Sequence, residues 1–315
     1  MPTTPGQGTP VRSVPDVDLV MRAGPGEARI LPGAPTRVWR YTVELLKGPP
    51  GTLQPVDNSY LGPTLRLRRG QRVRVRFENG LPEPTIVHWH GLDTPAAMDG
   101  HPRFAIGSGK SYVYEFEVIN RAGTYWYHPH PHHRTGAQVS NGMTGLLIVT
   151  DPEEAALKLP SGAADITCVL HDRAFTADNQ LTYISGMPMD SMMGFLGDQV
   201  LVNGRPQASL SLATRAYRIR LMNGSSSRIY KLAWDDDTPI SVIGSDGGLL
   251  ERPLTRRYVT LAPAERVDTI VDLSTRRIGT TLTLRSLPFS GASSGMGMGR
   301  GRGMGMMMGQ AAVAQ

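Results

Sequence analysis

The chain is poor in cysteine, in long apolar runs and in helical periodicity. Its one cysteine, Cys168, excludes an intrachain disulfide framework. No stretch approaches the roughly 20 apolar residues of a membrane-spanning helix, so no membrane span is expected. The first residues lack the basic and apolar regions of a signal peptide. The expectation is that this is either a mature form or a protein not exported by that route.

The scarcity of helical periodicity points to an all-β protein. The 315 residues include 36 glycines and 25 prolines, and short Val/Thr/Tyr/Leu runs alternate with turn residues. This pattern is typical of sandwiches and barrels, and the length suffices for two domains. The net charge is +6, but the arginines of residues 72–77 alternate with apolar residues. Such alternation is typical of the solvent face of a strand, so no nucleic-acid partner is expected.

Composition divides the chain into four parts. We expect a Pro/Gly-rich, irregular arm over residues 1–36, a first domain over 37–152 and a second over 153–287. The linker between the two domains is predicted at residues 151–154. Residues 288–315 contain little but Gly, Met, Arg and Ser, cannot bury a core, and are expected to form a disordered tail.

Two short stretches, residues 85–91 and 123–133, hold six of the eight histidines. Each contains the pattern His-x-His within a predicted strand, which places both imidazoles on one face, roughly 6.6 Å apart along the backbone. Such a pair can share one metal ion, or each histidine can hold a different ion of a close cluster. The pairs are His88 with His90 and His128 with His130.

Four neutral imidazoles suit zinc, copper, iron or nickel. A lone His-x-His is usually a surface pair, but two copies in Trp/Tyr-rich strands favour a metal site. A mononuclear zinc or iron site explains one pair but not the second, which has the context Trp-Tyr-His-Pro-His at residues 126–130. His132 and His133 are expected behind the ligands or on the surface rather than among the ligands.

A series of segments carries a resemblance to a known family. In the first half these are residues 62–70, 79–82, 88–91, 126–130, 134–136 and 142–147; in the second half they are residues 165–175, 202–204, 218–224, 245–248 and 263–268. Together they resemble the multicopper oxidases, particularly bacterial laccase-like enzymes and copper-efflux oxidases. The resemblance runs from about residue 37 to residue 287 and is carried mainly by the paired histidine motifs.

The resemblance implies two cupredoxin-like Greek-key β-barrel or sandwich domains in tandem and a trinuclear copper cluster that reduces dioxygen to water. His88 matches the type 2 copper ligand, and His90, His128 and His130 match type 3 ligands. Asp99 falls where the family keeps an acidic residue that helps to deliver protons, although an Asp before a Gly is also simply typical of a turn. A periplasmic or extracellular location is implied as well.

The family's third domain supplies a His-x-x-His-x-His motif and a His-Cys-His motif, and neither occurs in this sequence. Type 1 copper needs a cysteine thiolate with two histidines, whereas Cys168 lies in an apolar strand and is expected to be structural. The chain thus holds half of the cluster's histidines. We expect it to be either part of a longer oxidase or one that takes the missing ligands from a partner chain.

The methionines suggest Cu(I) binding, because thioethers are soft ligands. Six lie in the tail, where a Gly/Met-rich spacer is the alternative: Met296, Met298, Met304, Met306, Met307 and Met308. Four more, expected to serve ordinary packing, lie in one loop: Met187, Met189, Met192 and Met193.

Two functions remain open. One is an oxidase that uses dioxygen and takes electrons from a phenol, Cu(I) or another metal ion. The other is a copper-binding module without turnover. A scaffold that has lost its copper is disfavoured, because this chain keeps the four histidines.

Overall fold

The computed structural model describes residues 14–184 and 194–288, which fold mostly into strands. Only four short helices occur among these residues: the α-helices α1 (Thr135–Ser140) and α2 (Pro152–Ala156), and 3-10 turns at Pro102–Phe104 and Gly162–Ala164. The all-β prediction is confirmed. Within the described ranges, no helix is long and apolar enough to cross a membrane.

The first unit consists of two sheets packed face to face around one apolar core. One sheet has the order β2-β1-β5-β7 and the other the order β3-β4-β9-β8-β6. The strands are β1 (Val17–Ala28), β2 (Thr36–Lys47), β3 (Leu53–Gln54), β4 (Thr64–Arg68), β5 (Arg72–Asn79), β6 (Val87–His90), β7 (Ser111–Glu117), β8 (Gly123–Pro129) and β9 (Gly145–Thr150).

Strand β5 shows how the pattern of the sequence builds this core. Val73, Val75 and Phe77 are buried, whereas the alternating Arg72 and Arg76 are exposed and Arg74 is half-buried. Successive side chains of a strand point to opposite faces, so one face joins the core and the other meets solvent. The prediction that these arginines form a solvent face is confirmed.

The prediction of an irregular arm over residues 1–36 is wrong for β1. This strand pairs with β2 as a long antiparallel hairpin and with β5 in parallel. Its alternate residues Val17, Leu19, Met21 and Ala23 are buried in the core. The prolines and glycines were misleading because they lie mostly outside this alternating stretch, or where β1 pairs with β2 alone.

The second unit contains a seven-stranded sheet and a three-stranded sheet around a second core. The strands are β10 (Asp165–Phe175), β11 (Leu181–Thr182), β12 (Gln199–Val202), β13 (Ala216–Asn223), β14 (Tyr230–Trp234), β15 (Ile240–Ser245), β16 (Gly248–Arg256), β17 (Val259–Leu261), β18 (Arg266–Asp272) and β19 (Leu284–Ser286).

A buried network of ion pairs and hydrogen bonds connects the linker and the second unit to the first unit. The predicted linker begins α2, where the Asp151 carboxylate accepts the N–H of Glu154 at 2.7 Å. Glu154 in turn pairs with Arg218 of β13, and Arg218 also pairs with Asp268 of β18. Buried charges are tolerated only when paired. The hydroxyl of Thr124 on β8 donates to Asp268 at 2.6 Å, so this network reaches one of the two histidine strands.

Candidate metal centre

The register between β6 and β8 brings the two histidine pairs together. His88 lies opposite His128, and His90 lies opposite Trp126. The ring centroid of His88 is 5.5 Å from that of His90 and 5.3 Å from those of both His128 and His130. The four histidines singled out in the sequence therefore form one cluster centred on His88.

Ligand atoms of three of these residues lie close enough to hold one ion. Nitrogen atoms of His88, His90 and His128 all lie within 4.8 Å of one another. Nδ1 of His90 is 3.2 Å from Nε2 of His128. Two nitrogens bound to one tetrahedral ion at about 2.0 Å are about 3.3 Å apart. His90 and His128 are thus spaced to share an ion.

His130 stands beside this group of three. Its ring centroid is 5.9 Å from that of His128, and its Nδ1 is buried without a hydrogen-bond partner. A buried polar atom without a partner is costly, and an imidazole nitrogen in that position suits a metal ligand. His130 therefore fits a neighbouring ion rather than the one between His90 and His128.

Backbone carbonyls fix the tautomers of two histidines. Nδ1 of His88 lies 2.6 Å from the carbonyl oxygen of Asp99, and Nδ1 of His128 lies 2.8 Å from that of Pro129. Because a carbonyl oxygen only accepts, both Nδ1 atoms carry the proton. The Nε2 lone pairs are left free, which is how a second hydrogen bond orients a metal-binding imidazole.

Burial keeps three of the four imidazoles, those of His90, His128 and His130, uncharged. Burial and, to a smaller degree, Arg266 and the neighbouring histidines lower the pKa of His90 to about 4. Burial likewise holds the pKa of His128 well below its ordinary value and lowers the pKa of His130. These three imidazoles are therefore neutral at neutral pH and their lone pairs are available to a metal.

Aromatic side chains hold the rings in place. Trp126 stacks on His90, with centroids 5.0 Å apart, and packs on His128 at 4.1 Å. On the opposite face of β8, Tyr125 and Tyr127 enter the first core. The spacing of two residues between Trp126 and His128 places both side chains on one face of β8. The aromatic context of this motif indicated a metal site from the sequence, but not that Trp126 packs on two of the histidines.

The loop after β6 supplies Asp99 and depends on Gly100. The Asp99 carboxylate oxygen Oδ1 lies 3.5 Å from Nδ1 of His88, at the partly exposed edge of the cluster. Gly100 has a φ of +79°, and a Cβ there would lie 1.9 Å from the carbonyl oxygen of Val87. Only glycine lets the loop approach β6 closely enough to reach His88. In the sequence alone, Gly100 after Asp99 indicates only a turn.

His132, His133 and Cys168 are not part of this cluster. His132 and His133 are exposed beside each other, with centroids 3.8 Å apart. Cys168 is half-buried against the second core, and burial raises its pKa to about 12. The six tail methionines proposed as Cu(I) ligands, and the four loop methionines expected to serve packing, lie outside the described residues.

Comparisons with known proteins identify the family of the chain. A family model described as multicopper oxidase matches residues 37–154. A multicopper oxidase of Staphylococcus aureus is 37% identical over 218 residues, which cover 69% of this chain and 48% of that protein. The laccase of Bacillus subtilis (strain 168) is 34% identical over 278 residues, which cover 76% of this chain and 51% of that protein.

Among solved structures, the McoA multicopper oxidase from the hyperthermophile Aquifex aeolicus aligns with a TM-score of 0.77 and 36% identity, covering 87% of this chain and 58% of that one. The chain belongs to the multicopper oxidase family, and the cupredoxin-like fold class is confirmed. It spans about half the length of the curated relatives it matches. Copper is the family's metal, and four imidazoles are a donor set that suits it.

Proposed function

We propose that the four histidines form one face of a trinuclear copper cluster in an oxidase that couples one-electron oxidation of a substrate to the reduction of dioxygen to water. The observation that carries this proposal is their convergence from β6 and β8 around His88. A surface His-x-His pair has no reason to meet a second pair across two strands. The type 2 and type 3 assignments remain part of the proposal.

Each histidine has a distinct place in this proposal. His88 is the type 2 ligand and binds through Nε2, because its Nδ1 proton is held by Asp99. His90 and His128 share one type 3 ion, which agrees with the 3.2 Å between their nitrogens. His130 binds the second type 3 ion. Bound copper would supply the one-electron chemistry that joins substrate oxidation to dioxygen reduction.

Asp99 is the proposed proton relay. Its side chain keeps 39% exposure while one carboxylate oxygen lies against His88, so it contacts both solvent and the cluster. A carboxylate in that position can take a proton from water and pass it inward. The Thr94 hydroxyl, 3.4 Å from the carboxylate, helps to orient it.

The remaining ligands would come from a third cupredoxin domain, in the same polypeptide or in a partner chain, which also carries the type 1 copper. The His-x-x-His-x-His and His-Cys-His motifs of such a domain do not occur in this sequence. The electron donor would be a phenol or a metal ion such as Cu(I), and the tail methionines 296, 298, 304 and 306–308 would bind Cu(I). We place the protein in the periplasm or outside the cell.

The second candidate is a copper-binding module without turnover. It is favoured by the fact that the cluster of four imidazoles, with two tautomers already fixed, needs nothing beyond this chain. Oxygen uptake by the longest natural form of the protein, copper-loaded and given a phenol or Cu(I), separates the two. The oxidase proposal predicts uptake that His128→Gln abolishes. Copper binding without any uptake would establish the module instead.

A further inference from the structure

The second unit carries no histidine pair, yet it places a buried arginine against the end of β6. Arg266, the first residue of β18, is 4% exposed. One of its terminal nitrogens would lie 2.8 Å from a Cβ on Gly91, the residue that follows His90. Gly91 has a φ of +90°, so glycine both permits the turn and leaves room for the guanidinium.

Arg266 is held in this place by every part of its guanidinium group. Nε donates to the carbonyl of Thr124 on β8 at 2.9 Å, and Nη1 donates to that of Ala264 at 3.1 Å. Nη1 also pairs with the Asp246 carboxylate at 3.0 Å, and Nη2 donates to the Asp246 carbonyl at 3.1 Å. Because Nε, Nη1 and Nη2 each have an acceptor, the planar guanidinium group can adopt only one orientation.

We propose that Arg266 is a positioning residue of the histidine cluster, which fixes the turn after His90 and sets the preference of the cluster between Cu(I) and Cu(II) by its positive charge. This inference rests on the proposed copper site. A fixed positive charge disfavours a doubly charged ion about twice as strongly as a singly charged one. Arg266 thereby shifts the cluster toward Cu(I).

The charge of Arg266 lies against Gly91, the residue that follows His90, and so acts beside the cluster. Two unit charges about 10 Å apart, at an effective dielectric constant of about 20, change an equilibrium by about tenfold. Asp246 offsets part of the field, but its carboxylate is about half exposed, whereas the guanidinium faces the buried side at Gly91.

The test is the ratio of the affinities for Cu(II) and Cu(I), each measured on the full chain by competition with a chelator. Arg266→Gln should raise this ratio about tenfold. Arg266→Lys keeps the positive charge but loses the planar set of hydrogen-bond donors. It should therefore be less stable but retain nearly the same ratio of Cu(II) to Cu(I) affinity as the unaltered chain. Asp246→Asn removes the counter-charge while leaving Arg266 in place, so it should lower the ratio.

Arg256→Gln is the matched control, because Arg256 is exposed at the other end of β16 from the residues that contact β8. Equal ratios in Arg266→Gln and Arg256→Gln would overturn the inference. So would equal ratios in Arg266→Lys and Arg266→Gln, since Arg266 would then act only through structure. If Arg266→Gln does not fold, an unchanged ratio in Asp246→Asn overturns it. A chain that binds neither ion would refute the copper site itself and this inference with it.

Discussion

The carbonyl oxygen of Asp99 lies 2.6 Å from Nδ1 of His88, and the loop reaches this position only because Gly100 follows. A side chain on Gly100 would collide with the carbonyl of Val87 in β6. The hydrogen bond that orients His88 is therefore built on a close approach between two backbone segments rather than on a second side chain.

Replacing Gly100 with alanine should push the loop away from His88. We expect the free energy of unfolding to fall by about 2 kcal/mol or more, and copper affinity to fall with it. Gly109→Ala is the control, because Gly109 also has a positive φ, +72°, but nothing lies within 4 Å of its Cβ position. Denaturant unfolding and copper titration check both effects. Equal copper affinities in the two variants would contradict the role of the close contact.

Trp126→Leu should loosen the rings of His90 and His128. The variant loses both aromatic contacts and leaves a cavity, so we expect it to cost about 3 kcal/mol of stability and to weaken copper binding. Trp234→Leu makes the same change in the second unit, at the edge of the second core. It should reduce stability without changing copper affinity. An unchanged affinity in Trp126→Leu would show that the stack does not support the ligands.

The buried His171 should make the stability of the fold decrease at acid pH. It is fully buried, and neither ring nitrogen has a hydrogen-bond partner. Burial, together with the charge of Arg173, holds the pKa of His171 well below its ordinary value. The unfolded chain then binds this proton more readily than the folded one, so stability is lost as the pH falls below the ordinary histidine pKa.

The variant His171→Gln should remove that component. Between pH 7.5 and pH 5.5 the copper-free variant should lose about 1 kcal/mol less stability than the unaltered chain. Urea unfolding at the two pH values measures the difference, and His133→Gln is the control because His133 is exposed. If His171→Gln and the control show the same pH dependence, His171 is not held neutral by the fold.

The four proposed ligands could be predicted because the pattern that identifies them lies within a few neighbouring residues of the sequence. A spacing of two residues on a strand places two imidazoles on one face, and both motifs lie on strands or at their ends. The all-β class followed equally from alternating short runs and turn residues. What local pattern does not contain is the register that sets His88 opposite His128.

The parts that were missed depend on contacts distant in sequence. Arg266 approaches Gly91 only when the second unit packs on the first. The requirement for glycine at position 100 is visible only once the path of β6 is known, because a Cβ there would collide with the carbonyl of Val87. Strand β1 was missed because nearby prolines and glycines outweighed the alternation of residues 17–23. In each case tertiary packing, rather than local preference, decided the outcome.

The decisive measurement for the proposed histidine site is a copper titration of the full chain. Electron paramagnetic resonance of the loaded chain then shows whether nitrogen atoms bind the copper. We expect the chain to bind copper through imidazole nitrogens and the double variant His88→Gln/His128→Gln to lose this binding. The double variant His132→Gln/His133→Gln removes two exposed histidines and should keep it. Copper binding that survives the first double variant but is lost in the second would contradict the account.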